Sequence, residues 1–276
     1  MTLQQKIDES HRTGRLDVMS EFYLGALPIL SLSLTYLNCH NSLLTSLPIL
    51  PSSLKELHCS NNQLTSLPTL PLSLTHLVCS NNQLASLPVL SSSLKQLICF
   101  NNQLTSLPTL PSMLTHLDCF GNTLTSLPAL PSTLQELTCG ENQLTHLPAL
   151  PSQLTYLRCS NNQFTTLPTL PSSLTGLYCY GNPFTTRFAK LISYNIPETI
   201  QRIREYYTKE QLRNTLALLH VKGANCALND DCLYIIGSYL SGHSGTLLSQ
   251  IAKLRTILFI PTHLIITNPF VPSTSC

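Results

Sequence analysis

The sequence predicts a repeat solenoid: a curved parallel β-sheet of about eight 20-residue units with an extended, polyproline-like convex side, followed by an α-helical C-terminal region. Three observations support this fold class. Cysteine recurs every 20 residues from Cys39 to Cys179. A unit of that length holds a short strand but no full return helix, and its return segment is rich in proline. The period ends after Pro183, where helix signals begin.

The repeated unit reads L-x-x-L-x-C-x-x-N-x-L-T-x-L-P-x-L-P-x-S and covers residues 34–184. This is the pattern of a leucine-rich repeat. No single unit can bury its own apolar face, so the core forms only when units stack, and both ends of the stack need caps. The chain is long enough to bury such a core without disulfide support.

In each unit, the alternation of apolar residues predicts a short strand with one buried side. Leu57 and Cys59 lie two residues apart and face the core, whereas Glu56, His58 and Ser60 face the opposite, concave side. The cysteines stand at a position that is normally apolar, and a free cysteine packs as a small hydrophobe. We interpret this column as core and not as a metal ladder or a set of disulfides, which indicates a reducing compartment.

A column of asparagines follows the predicted strands. Asn62 lies where the chain leaves its strand, and its amide is expected to bond backbone groups of the turn that would otherwise be buried without partners. Ser42 occupies this column in the first unit, which predicts a looser unit there. The return segment that contains Pro68 and Pro71 is expected to be extended.

The departures from the period divide the chain into three parts. Residues 1–30 are predicted to form an N-terminal cap, residues 31–186 the repeat array and residues 187–276 a helical C-terminal cap or domain. The N-terminal cap begins with a polar, helix-compatible stretch. It continues into a degenerate unit that ends in Leu24, Leu27 and Pro28.

Helix signals follow the array. Pro197 and Thr208 each stand at a predicted helix start, and apolar residues at helical spacing follow both. Two further helical segments are predicted at about residues 229–241 and 245–259.

Composition and charge exclude several classes of function. Only 10% of the residues are charged, and the formal net charge is +2. The central positions of the concave face hold one arginine and no lysine, so nucleic-acid binding is not expected there. No apolar stretch follows Met1 and no long charge-free apolar run occurs, so neither a signal peptide nor a transmembrane segment is predicted.

No motif for catalysis stands out. The sequence shows no nucleophile with a base, no paired carboxylates and no metal signature, which predicts a protein without enzymatic activity or a cofactor. His40, His58 and His76 fall along a diagonal of the concave face and come nearest to a metal cluster. Because no carboxylate or cysteine completes the set on that face, we interpret them as polar contact residues.

The concave face is the candidate binding site, because its residues differ from unit to unit while the framework hardly varies. Ile98, Phe100 and Phe120 predict an exposed apolar patch, and a second aromatic group follows toward the C-terminal end. Ordinary surface scatter and contact with a terminal cap are the alternatives. The predicted partner-binding residues are His76, Ile98, Phe100, His116, Asp118, Phe120, Glu136, Tyr156, Arg158, Tyr178 and Tyr180.

The unit LPxLPxSLxxLxCxxNxLTxLP resembles the short repeats of bacterial leucine-rich repeat effectors of the YopM and IpaH type, and more closely the cysteine-containing arrays of Legionella effectors. The resemblance covers residues 28–184. IpaH-type ligases carry a large catalytic domain with a Cys-x-Asp motif. No Cys-x-Asp occurs in this chain, and only about 90 residues follow the array, so ligase activity of that kind is not expected.

This resemblance implies a non-enzymatic scaffold that passes from the bacterial cytoplasm into the cytosol of a host cell. It also implies a folded protein partner, either a host protein or a co-delivered effector enzyme, whose activity the concave face modulates by occlusion. We expect the chain to be monomeric on its own. An alternative function comes from residues 228–240, which faintly resemble the start of an F-box and would make the chain an adaptor for a host ubiquitin ligase. Asn229 stands where that motif has proline, and a helical end-cap is the simpler interpretation.

Overall fold

The computed structural model of the chain describes residues 3–19, 27–193 and 195–218, the last seven by their backbone alone. The chain divides into two units, Met1–Ile200 and Gln201–Cys276, and the whole sheet lies in the first. The predicted helical segments near 229–241 and 245–259, and the F-box-like stretch 228–240, lie outside the described residues, as does Leu24 of the predicted cap.

Nine parallel strands form a single sheet in which each strand pairs with the next one in sequence. Strands of neighbouring units pair in register, so residues 20 apart stand side by side, as Leu57 and Leu77 do. This confirms the predicted solenoid and its 20-residue unit. The strands are β1 (Arg15–Asp17), β2 (Tyr36–Asn38), β3 (Glu56–His58), β4 (His76–Val78), β5 (Gln96–Ile98), β6 (His116–Asp118), β7 (Glu136–Thr138), β8 (Tyr156–Arg158) and β9 (Gly176–Tyr178).

The N-terminal end of the sheet is built from α1 (Leu3–Thr13) and β1. Gly14 ends the helix with φ +67, a left-handed conformation that glycine adopts without a steric penalty, and its N–H donates to Ser10 O. The chain then enters β1, which pairs with β2 although it lies outside the 20-residue period. The helix agrees with the prediction for this region, whereas the additional strand was not predicted.

The inner side of the sheet has the composition that the repeat predicts. Leucine is the buried middle residue of every strand, and the cysteine two positions later is buried and free in all eight repeat units. Burial raises the pKa of Cys39 to about 12 and that of Cys179 to about 11, and it also raises the pKa of the thiols between them. These thiols therefore act as apolar packing groups and not as nucleophiles at neutral pH.

The asparagine column makes the bonds that the sequence predicts. Asn62 donates through Nδ2 to Cys39 O, Cys59 O and Ser60 O at 2.9–3.1 Å, and its Oδ1 accepts from Leu44 N at 2.9 Å. One side chain thus ties its own turn to the preceding unit. The same pattern recurs up to the last unit, where Asn182 makes it while only partly buried.

In the first unit, Ser42 takes the place of this asparagine. Its hydroxyl donates to Val18 O at 3.0 Å and to His40 O at 3.2 Å, and so links the unit to the chain that follows β1. The looser packing predicted for this unit stays a prediction.

The return segments contain no helix or strand in the described array, but they are tied together in two ways. Leu64, Leu67 and Leu70 point into the core and are buried. The hydroxyl of Ser73 donates to Leu54 O of the preceding unit at 2.6 Å, and Ser53, Thr133 and Ser173 make the equivalent bond.

Between the array and residue 218, the structure describes two helices: α2 (Thr186–Ala189) and α3 (Ile196–Leu218). The predicted helix start at Pro197 is confirmed to within one residue. The second start at Thr208 is wrong, because α3 is continuous through it and the Thr208 hydroxyl donates to Arg204 O, one turn earlier. A threonine in a helix satisfies its hydroxyl in this way as readily as it caps a new helix. No helix among the described residues has the length and hydropathy that crossing a membrane requires.

Candidate functional site

All the predicted site residues lie on the open face of the sheet. We define this face as the side chains at the first and third positions of β2–β9 and at the position two residues after each strand. Because the strands pair in register, each of these three positions forms a column across the units. The first two columns are half-buried or exposed, as expected.

The third column differs from the prediction. Ser60, Ser80 and Ser160 were expected to face outward, but all three are buried. Ser60 Oγ accepts a hydrogen bond from Ser80 N at 3.0 Å, because the chain is already turning inward at this point. Only the larger side chains of this column, such as Phe100 and Phe120, reach the open face.

The central apolar group consists of Ile98, Phe100 and Phe120 and lies on β5 and just after β5 and β6. All three are half-buried, so the patch is less exposed than the sequence predicts. The adjacent Asp118 carboxylate accepts a hydrogen bond from Phe120 N at 3.1 Å, which fixes the backbone where the phenyl ring emerges.

The open face carries three ionisable side chains on β6 and β7: His116, Asp118 and Glu136. His116 Nε2 is 3.6 Å from the Glu136 Oε1 of the next strand, and its Nδ1 is 2.8 Å from the Thr115 hydroxyl. Burial raises the pKa of Asp118, while the bond from Phe120 N and the positive charge of Arg158 partly oppose that shift. The carboxylate is therefore held in a site that solvates it incompletely, which favours a positively charged neighbour.

The second aromatic group lies on β8 and β9. The ring centroids of Tyr156 and Tyr178 are 5.6 Å apart, and Arg158 Cζ is 5.4 Å from the centroid of Tyr178. Tyr180 is 60% exposed. Beside it, Leu177, Ala189 and Ile192 line a cleft of about 570 Å³ between β9 and the helices that follow. Of the predicted residues, these form the most exposed aromatic surface.

The three histidines near the N-terminal end do not converge. His40 Nε2 is 3.3 Å from Asn61 Nδ2, His76 Nδ1 is 2.9 Å from the Thr75 hydroxyl, and His58 Nε2 is 3.6 Å from a Glu56 carboxylate oxygen. In the part of the chain that the structure describes, no group of three potential ligands could hold a metal ion. Their role as polar contact residues stays a prediction.

Two features escaped the sequence analysis. Arg15 Cζ lies 3.7 Å above the ring of Tyr36, because the unpredicted strand β1 brings this arginine beside β2. The other is a set of apolar side chains on the return side, where Ile29 is 93% and Ile49 is 90% exposed. Ile29, Ile49 and Val89 each stand between a proline and a leucine of the return motif, at a position that holds Thr or Ala in other units, and this variation was the available signal. Further members of this return-side set are Leu32, Leu72 and Val89.

Comparisons with known proteins agree with this architecture. A family model of two leucine-rich repeats matches residues 52–92, and a single leucine-rich repeat model matches residues 153–177. Together with the 30% identity to a leucine-rich repeat domain of which this chain covers 79%, these matches show that the chain belongs to the leucine-rich repeat proteins. A comparison with curated proteins finds no match.

Among solved structures, the chain is similar to the repeat regions of two bacterial effectors. It is 35% identical to YopM, a leucine-rich effector protein from Yersinia pestis, with a TM-score of 0.63 over 65% of this chain and 53% of YopM. It is 30% identical to the leucine-rich repeat domain of a Shigella effector, with a TM-score of 0.52 over 68% of this chain and 79% of that domain. The chain thus spans about half the length of YopM.

A third similar chain comes from an octameric complex of latrophilin 3, Unc5D and the leucine-rich repeats of FLRT2. The identity is 25% and the TM-score 0.50, over 72% of this chain and 64% of that chain. The repeat architecture is therefore shared with bacterial effectors and with a component of a multiprotein complex.

Proposed function

We propose that this chain is a non-enzymatic bacterial effector that binds a folded protein through its open face and modulates that protein by covering part of its surface. The partner is a host protein in the cytosol or a co-delivered effector enzyme. The observation that carries the proposal is the aromatic group on β8 and β9, where Tyr156, Arg158 and Tyr178 stand together on the open face. Tyrosine and arginine are frequent anchors of protein interfaces.

The size of the open face suits a protein partner. The strands β2–β9 that carry it, at a spacing of about 4.8 Å, extend on the order of 34 Å across the sheet. The varied side chains stand on short strands whose backbones are paired on both sides and tied by the asparagine column. A preorganised surface of this kind loses little conformational entropy on binding, so more of the contact energy contributes to affinity.

The relatives support the same class of function. YopM and the Shigella protein are effectors, and the FLRT2 repeats belong to a multiprotein complex. Delivery into a host cell and a closer relation to Legionella arrays remain proposals that rest on the repeat motif.

The experiment is to immobilise the whole chain and capture partners from host-cell lysate and from a library of co-delivered effectors. The affinity of each recovered protein is then measured by calorimetry. Replacing Phe100, Phe120, Tyr156 and Tyr178 by Ala, or Arg158→Glu, should weaken binding at least about tenfold while the thermal unfolding of the array changes little. Capture of a Skp-type adaptor would favour the F-box alternative.

A matched control is Gln103→Ala combined with Gln143→Ala. Both glutamines are exposed on the adjacent loops, outside the open face, and should leave the affinity unchanged. If the aromatic variant bound its partner as tightly as the unchanged chain, the open face would not be the binding surface.

A further inference from the structure

Two glycines of the open face have no backbone reason to be glycine. Of the four glycines within the array, Gly121 and Gly181 have φ +62 and +67, which accounts for them. Gly140 and Gly176 do not have positive φ values. At the equivalent positions of their columns, the other seven units all carry a side chain, so the backbone tolerates a Cβ there.

The space beside these glycines is filled by an aromatic ring from the preceding unit. A Cβ at Gly140 would lie 3.0 Å from the backbone oxygen of Ser160, 3.1 Å from Phe120 Cδ2 and 3.3 Å from Phe120 Cε2. A Cβ at Gly176 would lie 2.5 Å from Tyr156 Cδ2 and 3.0 Å from Tyr156 Cε2. The Cδ2–Cε2 edge of each ring therefore occupies space that a side chain at the glycine would need. A methyl group at Gly176 would displace the Tyr156 ring, and one at Gly140 would press on both the Phe120 ring and the Ser160 carbonyl.

Two carboxylates of the open face lie in the units that join these rings. The four acidic residues of the array are Glu56, Asp118, Glu136 and Glu141. Of these, Asp118 on β6 and Glu136 on β7 belong to the open face between the unit of Phe120 and the unit of Tyr156. The basic side chain in the same stretch is Arg158. This stretch of the open face is net negative and has an aromatic ring at each end.

We propose that Gly140 and Gly176 are positioning residues that let Phe120 and Tyr156 lie flat as two aromatic platforms, and that the partner places a basic side chain between two apolar groups that stack on them. This inference rests on the proposed function and names the chemistry of the partner. An aromatic ring on an open surface can stack on flat or cationic groups, and the Tyr178 ring, 5.6 Å from that of Tyr156, borders the second platform. The platforms lie two strands apart, about 10 Å across the sheet, and four residues apart along the strands, about 13 Å, so an extended segment of about five residues spans the roughly 16 Å between them.

The test uses the whole chain and a phage-displayed library of random dodecapeptides as the probe. We expect the enriched peptides to carry Lys or Arg flanked by apolar residues. Their affinity should fall at least about tenfold for Gly140→Ala and for Gly176→Ala. Each alanine should displace a ring, and a crystal structure of either variant shows whether it does.

A double-mutant cycle separates positioning from simple loss of stability. Once Phe120 is replaced by Ala, adding Gly140→Ala should weaken peptide binding no further, and the same should hold for Tyr156→Ala with Gly176→Ala. Gly181→Ala is the matched control, because it strains the backbone at positive φ but contacts Asn161 instead of a ring. It should lower the unfolding temperature and leave peptide affinity unchanged.

The inference is overturned if the glycine variants bind like the unchanged chain while Phe120→Ala and Tyr156→Ala bind weakly, or if the enriched peptides lack a basic residue. It is also overturned if no enriched peptide depends on Phe120 and Tyr156. The proposed function fails separately, when the captured protein partner itself binds the Phe120→Ala and Tyr156→Ala variants normally.

Discussion

The two sides of the sheet differ in how much their residues vary from unit to unit. On the inner side, each repeat unit contributes the same leucine and cysteine, and every unit after the first contributes an asparagine. The leucines and cysteines are buried, and the asparagines bond to the backbone of their own and the preceding unit. On the open face, the residues at the equivalent strand positions differ from unit to unit. The difference shows that stacking constrains only the inner side, so the open face is available for recognition.

The largest effect should come from removing one inner-side amide. Asn102 donates to Cys79 O, Cys99 O and Phe100 O and accepts from Leu84 N. Because a buried group left without a partner costs about 1–3 kcal/mol, Asn102→Ala should lower the free energy of unfolding by about 3 kcal/mol or more. Urea unfolding measures this.

The neighbouring Gln103 provides the control for that change. Its side chain is exposed, so Gln103→Ala should alter the free energy of unfolding by no more than about 0.5 kcal/mol. Equal losses for the two variants would show that the amide column does not hold the units together.

The next effect concerns the inner-side thiols. Burial raises the pKa of Cys179 from 9.0 to about 11, which lowers its thiolate fraction at pH 8 about a hundredfold. In the folded chain, Cys179 and the more deeply buried Cys99 should therefore resist a thiol reagent, and Cys179 should react first. Mass spectrometry of alkylated peptides, with the urea-unfolded chain as reference, measures both rates. Rapid labelling of Cys99 in the folded chain would contradict the packing role.

The smallest effect concerns the Asp118 carboxyl group on the open face. Burial raises its pKa above 3.8, so the folded chain binds more protons than the unfolded chain between pH 3.8 and the raised value. This group therefore makes stability fall as pH rises through that window. Asp118→Asn keeps an acceptor for Phe120 N and removes the charge, so its stability relative to the unchanged chain should increase across the window and then level off.

Urea midpoints between about pH 3 and pH 7 measure that difference. If the stability of Asp118→Asn relative to the unchanged chain stayed constant or fell with rising pH, the Asp118 carboxylate would lie in a well-solvated or charge-compensated site.

The repeat made most of the framework predictable. As their spacing indicates, Leu57 and Cys59 face the core and Asn62 bonds the turn. The pattern is predictive because every unit must bury its apolar side chains against its neighbours and pair the backbone groups of its turn. Strand β1 was not predictable in this way, since it lies outside the period and pairs through backbone groups that any sequence offers. The continuous helix through Thr208 escaped for a related reason: a threonine fits a cap and a helix interior equally well.

For the open face, the sequence predicted which residues occupy each column but not how exposed their side chains are or how they are oriented. Alternation places Ser60 outward, but the chain turns inward after the strand and buries it. The lean of the Phe120 ring toward Gly140 depends on contacts between neighbouring units, which the pattern within one unit does not contain. The exposed Ile49 of the return side was missed because it is an apolar residue beside the buried Leu50, and the apolar pattern alone does not separate the two.

The most direct test compares the aromatic residues of the open face with the apolar residues of the return-side set. Calorimetry should give the affinity of the captured protein partner for the unchanged chain, for Phe120→Ala with Tyr156→Ala, and for Ile49→Ser with Val89→Ser on the return side. Recognition by the open face predicts at least about a tenfold loss for the first variant and no change for the second. A loss confined to the return-side variant would contradict it.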